Sequence, residues 1–124
     1  MSAPLLILIA GPYRSGTNDV PERIAANLRF MNEVALQVYE RGHVPVTGEA
    51  LALPLAEVAG SRRIGDEVFN RYFHPSAVRL LAKCDACLRV GGPSAGADEM
   101  VRQAQALGKR TYSGVDEIPP VGSE

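Results

Sequence analysis

A chain of 124 residues fits one domain, and at that size folding buries roughly two-thirds of the unfolded surface, enough for a core of its own. A hydrophobic share of 46%, a charged share of 22% and a net charge of -1 supply no basic footprint for a nucleic-acid polymer and favour small or singly charged ligands. The apolar opening, residues 1–10, is too short to span a bilayer and lacks the positive start of a secretory leader, so the expectation is a first strand in a cytoplasmic protein without membrane association.

In chain order, Leu5, Leu6, Ile7, Leu8, Ile9 and Ala10 form an unbroken apolar run, the pattern of a central strand covered on both faces. A glycine-bearing loop follows, running Gly11, Pro12, Tyr13, Arg14, Ser15, Gly16 and Thr17. Asp19 and Glu22 then have capping-box spacing, and Ile24, Leu28, Met31, Val34, Ala35 and Val38 recur at helical intervals until Gly42. Residues 43–46 predict a second strand, placed near a sheet edge or strand end because Pro45 cannot donate to a ladder. Residues 51–59 predict a short helix and residues 60–63 a loop; the whole stretch 47–73 is a candidate mobile lid over the carboxyl edge of the sheet. Pro75 is expected to open a helix through Lys83, and residues 86–90 form a further strand. A second glycine loop, Gly91, Gly92, Pro93, Ser94, Ala95 and Gly96, leads to a helix marked by Met100, Val101, Ala104 and Leu107 and stopped at Gly108. Residues 109–112 predict a last short strand, and residues 119–124 a disordered tail.

This alternation implies right-handed crossovers and an α/β fold: a single-domain, Rossmann-like (flavodoxin-like) three-layer sandwich with a small parallel sheet of four to five strands over residues 1–118. A reversal of strand order beside the first strand would bring both glycine loops around one crevice. Cys84 and Cys87 have the spacing of a redox pair but run from a helix end into a strand, and neither His43 nor His74 is spaced to complete a metal site with them. They read as two small buried hydrophobes, and neither metal nor redox cofactor is indicated.

In the first loop Gly11 and Gly16 let the backbone approach a ligand, Arg14 offers a planar fork of donors to a phosphate or carboxylate, and Tyr13 offers a ring and a hydroxyl. The plainer alternative is a turn whose Arg14 meets a surface carboxylate. Neither a dinucleotide fingerprint nor a Walker loop is present. In the second loop the amides and dipole of the following helix, with the Ser94 hydroxyl beside Gly96, suit an anion; Ser94 as a simple cap and Asp98 and Glu99 as dipole-favoured acids explain the same residues structurally. Glu49, just past the second strand, and His74, after an aromatic run, are further candidates at the same edge, and Arg62 and Arg63 are either phosphate contacts or a solvated loop.

The combination of a strand, Gly11, Pro12, Tyr13, Arg14, Ser15 and Gly16, a strand entered at Cys84, Asp85 and Ala86, and Ser94, Ala95, Gly96 and Ala97 before a helix ending in Gly108, Lys109 and Arg110 resembles the nucleoside 2-deoxyribosyltransferase superfamily, including its deoxynucleoside 5′-monophosphate N-glycosidases. The resemblance covers most of the chain. It implies cleavage or transfer at an N-glycosidic bond through a carboxylate nucleophile, a nucleoside or nucleotide ligand, and a homodimer. It also implies sugar or phosphate contacts from Tyr13, Arg14 and Gly16, and a 5′-phosphate held by Ser94 and Gly96. Two positions depart from the family pattern. Met100 stands where the nucleophilic glutamate is usual, leaving Asp98 and Glu99 as the nearest acids, roughly 200° and 100° away around the helix. Ala77 stands where a second carboxylate is common, with His74 and Ser76 close by. A non-catalytic nucleotide-binding or sensing module is therefore the alternative from another class. The second loop also loosely resembles that of cytokinin-activating phosphoribohydrolases, whose following threonine and glutamate are absent here.

Overall fold

The structure, a computed structural model, describes residues 3–122. Its elements are β1 (Leu6–Ala10), α1 (Pro21–Glu40), β2 (Val44–Thr47), α2 (Gly48–Val58), α3 (Glu67–Lys83), β3 (Ala86–Arg89), α4 (Ala95–Ala106) and β4 (Arg110–Tyr112), followed by a 3-10 turn at Val115–Glu117. The four strands form one sheet in the order β2-β1-β3-β4, and every pairing is parallel. The fold is thus α/β, with the strand order reversing beside β1 as the two loops required.

The unbroken apolar run of β1 follows from its central position. Ile7 and Ile9 pack with Ile24, Met31, Val34 and Val38 of α1, while Leu8 and Ala10 pack with Leu81, Cys84, Met100 and Ala104 on the opposite face. Each fully buried Ile or Leu side chain here contributes roughly 1.5–3 kcal/mol of transfer free energy. The proline in β2 is tolerated because that strand lies at the edge of the sheet.

Three expectations are corrected. No capping box forms at Asp19 and Glu22: α1 starts with Pro21 at its first position behind an N-cap at Val20 that makes no side-chain bond, and Asp19 sits in the left-handed region at φ 57. Its carboxylate is drawn to Arg14 instead. Second, α2 begins at Gly48, three residues before the predicted start, because the Thr47 hydroxyl accepts the Ala50 N–H at 3.1 Å and caps it. Third, Pro75 does not open a helix but lies inside α3. Pro75 and Arg71 are both exposed, so the carbonyl that loses its helical donor falls on the solvent side. The stretch expected as a lid is consequently a helical hairpin whose α3 end carries Phe69 and Phe73 into the same core as Tyr13. Of the residues expected as a tail, Pro119 and Val121 bond to the body: the Pro119 carbonyl lies 2.7 Å from His43 Nε2, and the Val121 N–H donates to the Arg41 carbonyl at 2.9 Å. Ser123 and Glu124 lie outside the described residues. Among the described residues no helix is long and apolar enough to cross a membrane.

Candidate functional site

The two glycine loops touch each other at the carboxyl edge, where β1 and β3 diverge. A Cβ on Gly11 would lie 3.0 Å from the Val90 carbonyl oxygen, and one on Gly91, whose φ is +82, would lie 2.6 Å from the Pro12 ring. Both positions need glycine because the loops are in backbone contact.

Tyr13 follows as a buried residue, 7% exposed, with its ring stacked on Phe73 at a centroid distance of 5.5 Å and Phe73 stacked on Phe69 at 4.5 Å. Its carbonyl accepts from the Asn27 side-chain amide at 3.0 Å, which ties the loop to α1. Burial pushes its phenol pKa up; the neighbouring Glu49 charge adds to this, and Arg14 opposes it. Arg14 donates through Nε and a terminal nitrogen to the two Asp19 carboxylate oxygens, at 3.0 and 3.2 Å, and these bonds hold the Asp19 carboxyl below its usual range. Ser15 is half-buried, and Gly16 is exposed at φ +74 with open space around it. Tyr13, Arg14 and Asp19 line a cavity of about 710 Å³ together with Ile24 and Leu28 of α1 and Arg63 and Ile64 of the α2–α3 connection.

Glu49 lies on the first turn of α2 and is 7% exposed, the only buried carboxylate among the described residues. It lines a smaller cavity of about 230 Å³ with Leu28, Asn32, Thr47 and Leu53. Leu28 therefore borders both spaces. Burial raises the Glu49 carboxyl, opposed in part by its own backbone N–H.

The second loop gathers the remaining candidates into a different group. The buried Ser94 hydroxyl accepts the Ala97 N–H at 3.2 Å and caps α4, while Gly96 is exposed. Asp98 pairs with Arg89 at 3.0 Å, and the same guanidinium donates to the carbonyls of Val90 and Gly92, stapling the loop. Glu99 accepts from Arg102 and Gln103; chiefly through the Arg102 bond its carboxyl is held low, with a smaller contribution from His74. His74 is thus an exposed neighbour of Glu99 on α3. Met100 is buried among Leu8, Ala10, Leu81 and Ala104, so the position at which the resemblance led one to expect a nucleophile is part of this core. Ala77 packs against Gly48, where a Cβ would meet its own at 3.0 Å. Cys84 and Cys87 are buried free thiols, both pushed up by burial, Cys87 to about 11. They pack in the core as small buried side chains.

Tyr13, Arg14 and Glu49 therefore sit together on one side of the edge, and Ser94, Gly96, Asp98, Glu99 and His74 on the other. Sequence reasoning missed Asp19 as the partner of Arg14 and Arg89 as the staple of the second loop; Arg63, offered there as a phosphate contact or a solvated loop residue, lines the cavity. Their charge was visible, but spacing along the chain does not say which acid a given guanidinium reaches. No protein-family model matches this chain, and no curated protein matches it.

Proposed function

We propose that the chain binds a nucleoside or nucleoside 5′-monophosphate at the carboxyl edge and cleaves its N-glycosidic bond, by hydrolysis or by transfer to a second base. The observation that carries this reading is the 710 Å³ cavity, whose apolar wall of Ile24, Leu28 and Ile64 suits a flat base while Tyr13, Arg14 and Arg63 suit a sugar and an anion. Glu49 does not line this cavity but neighbours Tyr13, which does, and as the one buried carboxylate among the described residues it is the carboxyl the reading assigns to the chemistry: burial favours its protonated form, and a departing base needs a proton. As the C1′–N bond breaks, its electron pair leaves with the base and the Glu49 proton neutralises it. Water then adds to C1′ and returns a proton to the Glu49 carboxylate. Asp98 and Glu99, expected from the resemblance as nucleophiles, are engaged by Arg89 and Arg102, and the reading gives them no step.

A second reading, a nucleotide-binding module without catalysis, is favoured by the burial of Met100 in the core. Thermal shift followed by an assay for free base separates the two. A monophosphate at a hundred times its Kd should stabilise the fold by about 2.7 kcal/mol. Under the first reading base appears, Glu49→Gln lowers its rate by about a hundred-fold or more, and Asp98→Ala and Glu99→Ala leave it nearly unchanged. Binding with no base release selects the module, and the absence of any shift with nucleosides and monophosphates overturns both.

A further inference from the structure

The ion pair between Arg14 and Asp19 lies in the wall of the large cavity, and the first loop is built to present it. The Thr17 hydroxyl donates to the Arg14 carbonyl and accepts the Asp19 N–H at 3.2 Å; the Thr17 N–H donates to the same carbonyl at 3.1 Å, and the Val20 N–H to the Thr17 carbonyl at 2.9 Å. Asn18 and Asp19 are the two non-glycine residues of positive φ among the described residues, at 50 and 57. Two successive left-handed residues carry a conformational cost, and here they aim a carboxylate at the Arg14 fork. Both partners remain open to solvent, with side-chain exposures of 38% and 62%, so a competing anion can reach them.

A second arginine contributes to the wall of the same cavity. Arg63 lines it and makes no ion pair among the described residues. It is carried on a connection held by Asp66, whose carboxylate accepts from the N–H groups of Arg62, Arg63 and Phe69 and from the Ser61 hydroxyl. Gly65, at φ +89, lies over the Arg14 guanidinium so closely that a Cβ there would be 2.6 Å from it. One arginine is thus masked by an internal carboxylate and the other unpaired, beside an apolar wall of Ile24, Ala25, Leu28 and Ile64.

From this arrangement we infer that Asp19 is a displaceable internal occupant of an anion subsite. A phosphate monoester joined to a flat apolar group takes its place on Arg14 and is clamped from the other side by Arg63. The subsite deepens the proposed function and rests on it only for the identity of the apolar group. Because an exposed ion pair is worth little and is readily exchanged, a dianionic phosphate with two guanidinium partners outcompetes one carboxylate with a single partner.

Calorimetric titration of the full chain with phenyl phosphate, a nucleoside 5′-monophosphate and the corresponding nucleoside tests the subsite. In Asp19→Asn both phosphates should bind about three- to ten-fold more tightly and the nucleoside unchanged, since an internal competitor and its like charge are removed. In Arg63→Gln the phosphates should weaken by about ten-fold, again with the nucleoside unchanged. Unchanged or weaker phosphate binding in Asp19→Asn shows that Asp19 supports Arg14 rather than competing for it, and overturns the inference; so does an Arg63→Gln variant that binds phosphates normally. Phenyl phosphate responding as expected while neither nucleoside nor nucleotide binds leaves the subsite standing and removes the nucleotide reading.

Discussion

Two carboxylates in this chain are displaced in opposite directions by their surroundings. Asp66 accepts four hydrogen bonds and falls to about 2, whereas Glu49 is raised because burial penalises its charge. For Glu49 the folded state binds the proton more tightly than the unfolded chain, so ionisation above the folded pKa destabilises the fold. Replacing it with glutamine should therefore raise Tm at pH 7, and the gain should disappear as the pH falls through the raised folded value towards the ordinary glutamate value of 4.5. Melting curves of wild type and Glu49→Gln across pH 4–8 check this; a loss of Tm at neutral pH would mean that the carboxylate is satisfied rather than penalised. Glu49 was legible in the sequence only as one more acid at the carboxyl edge. It shares a cavity with Leu28 and Asn32 of α1 and Leu53 of α2, and no local pattern encodes the approach of those two helices. By contrast Gly11 and Tyr13 were legible, because a loop leaving a central strand has few places to go.

At the scale of elements, the strands and α1 emerged within one or two residues of their predicted bounds, since hydrophobic period acts locally. The helical hairpin of α2 and α3 did not, because Pro54 and Pro75 both lie inside helices whose exposed faces tolerate the missing donor. The hairpin depends instead on Asp66, the N-cap of α3, which also anchors the connection carrying Arg63. Its depressed pKa means that the unfolded state binds the proton more tightly, so the stabilisation is complete above the ordinary aspartate value of 3.8 and is lost as pH falls towards 2. Asp66→Ala should accordingly lower Tm at pH 7, with the deficit shrinking as the pH is taken from about 4 to about 2. The same variant should weaken phosphate binding at pH 7, as the connection loses the bonds that hold Arg63 beside the cavity. A constant deficit at all pH values would show that the side chain contributes by packing alone.

Across the whole molecule, the last described residues close the amino end of the sheet, opposite the candidate site. His43 links three segments: its Nδ1 accepts the Leu5 N–H at 3.0 Å, and its Nε2 lies 2.7 Å from the Pro119 carbonyl. Nδ1 can accept only if the proton of the neutral ring sits on Nε2, so this tautomer satisfies both bonds. Arg41 adds a bond to the Ile118 carbonyl at 2.7 Å, and Gly42, at φ +94, lies against Val121, which a Cβ would meet at 2.9 Å. Ile118, fully buried in the same core as α1, anchors the start of this segment on the body. Ile118→Ala should cost about 3 kcal/mol, the range of a large core truncation. His43→Leu should cost roughly 1–3 kcal/mol by leaving the Leu5 N–H and the Pro119 carbonyl without partners. Because the two residues anchor one segment, their double variant should lose less than the sum. Urea denaturation of the singles and the double measures that coupling. Strict additivity would mean that each residue acts on the sheet alone and that residues 118–121 are held by neither in common; a shortfall shows one cooperative clasp. The nucleotide binding proposed for the far edge should be the same in both single variants as in wild type, since neither residue borders the cavities at the carboxyl end.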